Sequence, residues 1–176
     1  MRTFFAVTPD AQSCVAINEW VRLCWPALAK PVAVQNYHIT LAFLGETSAG
    51  QMRFIEEAME DFQAPGFGMR LTETGYWSEP SVLWLAPADV PDTLQLLADK
   101  CKRVANRAGI RVSQRRYQPH LTLARNNTLP PAMPLIDPDF EFKVDSIQLV
   151  RSLRERSGVR YSDLMSWPLI QVNNYR

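Results

Sequence analysis

"NYHITLAFLGE", residues 36–46, and "QPHLTLARN", residues 118–126, repeat one frame, His-x-Thr-Leu-Ala, and between them they hold both histidines of the chain. Each frame reads as a strand buried on one side. Side chains alternate across a strand, so His38 and Thr40 share one face while Tyr37, Ile39, Leu41 and Phe43 share the other. The same rule sets His120 beside Thr122 and opposite Leu121 and Leu123. Ala42 and Ala124 come next along the polar face and leave open space beside each imidazole and hydroxyl. A lone histidine on a strand is more often a hydrogen-bonded structural residue. Two unrelated structural histidines would hardly share Thr, Leu and Ala at the same three offsets, so the pair reads as one functional site.

The flanking segments alternate between strand and helix patterns. Residues 2–7 read as a strand, and Thr8 and Pro9 open an amphipathic helix that runs to about Leu23. The first histidine strand spans 37–44. Ser48 and Gln51 then form a capping box for a second helix, whose apolar stripe is Met52, Ile55, Met59 and Phe62. Strands are expected at 68–74 and 81–86. A third helix follows, with Leu94, Leu97, Cys101, Val104 and Ala108 on one face and a stop at Gly109. The second histidine strand comes next, then the proline-rich "NNTLPPAMPLIDPD" at 126–139, and then a strand pair, 140–151 and 158–169, around "RERSG". This mixing, without regular βαβ crossovers, gives an α+β fold with largely antiparallel sheets. The frames lie 82 residues apart and each follows an amphipathic helix, so two similar lobes are expected within a single domain, 1–176.

Length and composition fit that picture. The chain has 176 residues, 47% of them hydrophobic, enough to bury one core without staples. Cys14, Cys24 and Cys101 are odd in number and match no metal spacing, which points to a reducing, cytoplasmic setting. "MRTFFAVTPD" is too short an apolar run for a secretory leader, and no stretch reaches the length of a membrane span. The net charge of +1 argues against a protein that coats nucleic acid. Between Lys100 and Arg125, however, there are eight basic residues and no acidic one. That run is either a solvated helix face with a basic loop or a local field that attracts an anionic substrate.

Histidine titrates near pH 6.5, so one imidazole can be neutral while its partner is protonated. Such a pair suits substitution at phosphorus with an alcohol leaving group: one ring activates water, the other protonates the departing oxygen, and threonine hydroxyls donate to the non-bridging oxygens. Zinc would require more ligands than two histidines provide. Neither a Walker-type phosphate loop nor a G-x-S-x-G elbow is present. Metal-free acid-base chemistry, without a cofactor, is what remains.

The paired tetrads at 38–41 and 120–123 resemble those of the 2H phosphoesterase superfamily. With them, "RTFFAVTPD" (2–10), "YHITLAFLGE" (37–46), "SVLWLAP" (81–87), "YQPHLTLAR" (117–125) and "GVRYSDLMSWPL" (158–169) are similar to the bacterial and archaeal RNA 2′,3′-cyclic phosphodiesterases, also called 2′-5′ RNA ligases. The resemblance implies a bilobal, pseudo-twofold fold, with two largely antiparallel sheets lining a central cleft, helices packed outside, and one motif per lobe. It implies hydrolysis of a terminal 2′,3′-cyclic phosphate on RNA to a 2′-phosphomonoester. His38 would then be the acid and His120 the base, with Thr40 and Thr122 on the phosphate, Phe43 stacking on a base and Arg125 near the phosphate or backbone. Core packing is the rival reading of Phe43, and a plain surface arginine that of Arg125. Tyr37 and Tyr117 read as packing residues, and Trp77 and Trp84 as core. "RYQPHLTL" departs from relatives that carry His or Phe just before the second motif, which affects contacts beyond the cyclic phosphate. The implied partners are RNA 3′ ends or small cyclic nucleotides, met by a monomer away from any membrane. 2′-5′ RNA end joining and a non-catalytic RNA-end binding module are the alternatives.

Overall fold

Nine strands and three α-helices form over the residues that the computed structural model describes, 1–127, 129–155 and 158–171. β1 (Arg2–Val7) runs into α1 (Ala11–Cys24), which starts two residues later than the sequence suggests. The reason is Asp10, whose carboxylate accepts a 2.9 Å bond from the Ser13 N–H and satisfies an otherwise orphaned donor of the first turn. A 3₁₀ turn, Val34–Asn36, leads into β2 (Ile39–Glu46). α2 (Ala49–Glu60) begins at the expected capping box: Gln51 N–H donates to Ser48 Oγ at 3.3 Å and Ser48 N–H to Gln51 Oε1 at 3.0 Å.

β3 (Phe67–Leu71), β4 (Glu73–Trp77) and β5 (Val82–Ala86) precede α3 (Asp92–Arg107), which buries Leu94, Leu97, Cys101 and Val104. Gly109, at φ +75°, takes the left-handed conformation that lets the chain leave the helix. β6 (Leu121–Arg125), β7 (Phe140–Val144), β8 (Ser146–Glu155) and β9 (Gly158–Pro168) complete the chain. Two of the expected strands turn out to be two strands each. The stretch 68–74 divides at Thr72, since β3 pairs with β7 whereas β4 pairs with β5. The stretch 140–151 divides at Asp145, where the chain leaves β3 to pair with β1 and β9. Alternation in a sequence shows which side chains share a face but carries no record of which strand lies alongside.

All pairings between the named strands are antiparallel, and the fold is α+β. A seven-stranded sheet has the order β4-β5-β6-β2-β1-β8-β9, and β3-β7 form a second, two-stranded sheet. The large sheet consists of two well-paired portions, β4-β5-β6 and β2-β1-β8-β9, joined by a single register pair, Ile39 with Leu121. One face carries Phe5, Val7, Ile39, Leu85 and Leu121, all fully buried against helix residues that include Ile17, Ile55, Leu94 and Leu97. Each such side chain contributes on the order of 1.5–3 kcal/mol. On the other face Phe4, Ala6 and Val150 form a small separate cluster with Tyr161. That face is open and holds the histidines. No helix among the described residues is long and apolar enough to cross a membrane.

Candidate active site

His38 and His120 each sit one residue ahead of their strand rather than inside it, since β2 starts at Ile39 and β6 at Leu121. The consequence is a repeated hydrogen bond. His38 Nδ1 lies 2.7 Å from the carbonyl oxygen of Asn36, and His120 Nδ1 lies 2.9 Å from that of Gln118. A carbonyl oxygen only accepts, so in the neutral ring Nδ1 carries the proton and Nε2 is left as the free acceptor.

Extending the Ile39–Leu121 register by one residue each way sets His38 against Thr122 and Thr40 against His120. Both histidines and both threonines therefore meet on the open face, diagonal to one another, while Ile39 and Leu121 point into the core.

Phe43 should be on the opposite face by simple alternation, yet it is 48% exposed. A register shift explains this: Phe5 pairs with Ala42 and Ala6 with Thr40, which leaves Leu41 as an extra residue in β2. The strand changes phase there. Phe43 then pairs with Phe4, and Ala6 with Thr40, so Phe43 joins Thr40 on the open face with the Arg2 guanidinium 4.8 Å from its ring. The second frame repeats the device. Leu83 pairs with Ala124 and Trp84 with Thr122, which skips Leu123 and turns Arg125 to the side of Thr122. Arg125 Nη2 lies 3.4 Å from Thr122 Oγ1, a long contact compatible with either group meeting an anion.

Aromatic rings brace both imidazoles. Phe4 lies 4.8 Å from the His38 ring, and Tyr161 meets it edge-on at 4.9 Å. Trp77 meets His120 edge-on at 4.6 Å, so its reading as a core residue is corrected: it is half-buried at the site, supported by Trp84 at 5.4 Å. Trp84 lies directly over Gly75, where an added Cβ would run into the indole. Tyr37 is buried as expected. Tyr117 does more than pack: its hydroxyl donates to the Thr40 carbonyl at 3.0 Å.

Burial is the main reason both imidazoles hold a proton less readily than usual. For His38 it brings the pKa down to about 4; the Asn36 carbonyl opposes this, while Arg125 and then His120 add to it. His120 is lowered by its burial, against the Gln118 carbonyl and with help from Arg125. Both rings are thus mainly neutral at pH 7. Beside His120 a groove of about 250 Å³ is lined by Thr40, Phe43 and Trp77 and rimmed by Lys102, Arg115 and Arg116, whereas His38 lines a smaller cavity of about 140 Å³ with Asn36, Tyr161 and Asp163.

Asn36, Trp77 and Tyr161 are the site residues that sequence reading missed. Asn36 is a buried clamp: its Nδ2 donates to the Val159 carbonyl at 2.7 Å and its Oδ1 accepts from the Tyr161 N–H at 3.2 Å, tying the carbonyl that holds His38 to β9. An amide residue two places before each histidine, Asn36 and Gln118, was the available signal, although the bond to the ring uses only its backbone.

The 2′-5′ RNA ligase superfamily matches residues 9–156. The chain is 33% identical over 171 residues to the Escherichia coli (strain K12) protein named RNA 2′,3′-cyclic phosphodiesterase, with 97% of each chain covered. It is 29% identical to the protein of the same name from Thermus thermophilus, covering 96% of this chain and 90% of that one. The crystal structure of E. coli LigT complexed with 3′-AMP superposes with a TM-score of 0.88 at 34% identity, covering 97% of this chain and 98% of the other. With its two His-x-Thr frames abutting across one sheet, the chain belongs to the 2′-5′ RNA ligase superfamily of 2H phosphoesterases.

Proposed function

We propose that the cleft hydrolyses a terminal 2′,3′-cyclic phosphate on RNA to a 2′-phosphomonoester, without a metal ion, with the two histidines as acid and base. The observation that carries this reading is the diagonal meeting of the frames at Ile39 and Leu121, with Nδ1 of each imidazole pinned to a carbonyl so that each Nε2 is left free to exchange a proton.

Thr40, Thr122 and Arg125 hold the non-bridging phosphate oxygens. His120 Nε2 takes a proton from a water molecule as its oxygen bonds to phosphorus. The bond from phosphorus to O3′ breaks, and the protonated Nε2 of His38 delivers its proton to O3′. The product carries a 2′-phosphate and a free 3′-hydroxyl. His38 ends neutral and His120 protonated, and exchange with solvent resets the pair. Burial alone would keep His38 neutral at pH 7, and the anion that binds beside it raises its proton affinity and charges it on arrival. Phe43, exposed in the groove, stacks on the terminal base; that the E. coli relative was crystallised with 3′-AMP supports a nucleotide as the ligand.

On this reading the chain is one domain of two similar lobes, β2 and β6 each bringing one frame and each carrying a bulge at the leucine after the threonine. Both frames lie in one chain, so a cytoplasmic monomer suffices. The test is a short RNA ending in a 2′,3′-cyclic phosphate, incubated with the protein in excess EDTA, its new terminus identified by mass and phosphatase sensitivity. A 2′-phosphate that His38→Ala fails to form supports hydrolysis. A lengthened RNA would identify end joining instead, and a bound but unopened ring would identify a binding module.

A further inference from the structure

Of the eight cations between Lys100 and Arg125, three have evident local tasks. Lys100 lies 4.4 Å from the Phe62 ring, Arg107 lies 5.7 Å from Phe54, and Arg125 is at Thr122. Lys102, Arg115 and Arg116 come from two different segments, α3 and the loop before His120, and converge on the rim of the groove that contains Phe43, Thr40 and His120. Among the described residues none of the three is in an ion pair. Lys102 stands over Tyr117 at 5.7 Å, and both arginines are exposed. The opposite side of the site differs: beyond His38 the cavity is lined by Tyr161, Gln35 and Asp163, with no lysine or arginine.

We infer that the substrate is a single-stranded RNA 3′ end whose body leaves the histidines in one direction, past Phe43 and over Lys102, Arg115 and Arg116, which hold phosphates 5′ of the terminal nucleotide. This rests on the proposed hydrolysis of a cyclic phosphate and adds what lies upstream of it. The polarity follows from charge. A chain bearing a phosphate at every nucleotide is favoured along the side with three unpaired cations and disfavoured along the side that presents a carboxylate. The terminal base stacks on Phe43, the aromatic surface exposed in the same groove, and the next phosphates fall where the cations are. A cyclic mononucleotide, which has no upstream phosphate, gains nothing from the rim.

The test compares a 2′,3′-cyclic mononucleotide with a pentanucleotide ending in the same cyclic phosphate. Wild-type kcat/KM is expected to favour the pentanucleotide, and log kcat/KM against log salt should be steeper for it by about 2, roughly 0.7 for each of three phosphate contacts. In the double variant Arg115→Ala/Arg116→Ala that difference in slope falls below about 1 and most of the length preference disappears, while Arg115→Lys/Arg116→Lys retains much of both. Both arginines are exposed, so the substitutions leave the core untouched. Equal rates on the two substrates, or a preference and slope that survive the alanine variant, would overturn the inference. If no cyclic phosphate were opened at all, the proposed hydrolysis would fall instead. The rim would then be judged from the Kd of a fluorescent pentanucleotide, by the same loss in the alanine variant and the same difference in salt slope.

Discussion

Ile39 faces Leu121 across the joint of the large sheet, and among the described residues this is the one register pair that ties β2 to β6. Both side chains are fully buried, and each is flanked by a histidine one residue before it and a threonine one residue after it. One backbone pairing between two core residues therefore sets the spacing of four polar groups.

Ile39→Val is expected to cost about 0.5–1.5 kcal/mol of stability and Ile39→Ala about 2–5 kcal/mol, read from urea unfolding. Activity should fall further than the unfolded fraction explains, because the joint also positions the site. A stable Ile39→Val protein with undiminished kcat would show that the joint is only structural.

The pH profile should be bell-shaped, and its limbs should move between kcat/KM and kcat. In the free protein both imidazoles titrate below the ordinary 6.5, His38 near 4, so the optimum for kcat/KM lies on the acidic side. Bound phosphate stabilises the charged ring, so the profile of kcat shifts to higher pH. Arg125 lowers both rings, and Arg125→Gln should therefore move both limbs of kcat/KM upward as well as weaken phosphate binding.

Folding stability carries the same signature. His38 has a folded pKa of about 4 against about 6.5 when unfolded, so the unfolded chain binds the extra proton between those values. Stability is then fully present above pH 6.5 and is lost as the pH falls towards 4, by up to about 3 kcal/mol. His38→Asn should flatten this part of a denaturation series. An unchanged slope in the variant would assign the acid sensitivity to other groups.

Gly75→Ala drives a methyl group into the Trp84 indole, which supports Trp77 and through it His120. A loss of about 1–3 kcal/mol is expected, together with a lower kcat. Trp84→Leu in the same background should recover stability more than rate.

Phe43→Ala should raise KM by a factor equivalent to about 1–3 kcal/mol and leave kcat for a cyclic mononucleotide close to wild type, since stacking binds ground state and transition state alike. Phe43→Trp should restore KM. An equal loss in kcat would place Phe43 among the groups that align the phosphate.

The two histidines and two threonines were readable because alternation along a strand needs only the local chain, and the α+β class followed from the order of patterns. Phe43 and Arg125 were not settled that way. Their faces depend on the bulges at Leu41 and Leu123, which arise from pairing with β1 and β5, strands distant in sequence. Trp77 looked like core for a related reason: its neighbour His120 is brought to it by the β5–β6 pairing, and nothing near residue 77 marks that. Likewise 68–74 and 140–151 each read as a single strand, because a change of partner sheet leaves the alternation intact.

The division of labour between the rings is tested most directly with a cyclic substrate in which sulfur replaces the 3′ bridging oxygen. A thiolate leaves without needing a proton, so the acid becomes dispensable and the base does not. The quantity to measure is thiol release by His38→Ala and His120→Ala, each relative to the intact protein. The expected result is recovery of His38→Ala to within about tenfold of the intact protein, with His120→Ala remaining inert. Equal inactivity of both variants, or recovery of His120→Ala alone, would contradict His38 as the acid and His120 as the base.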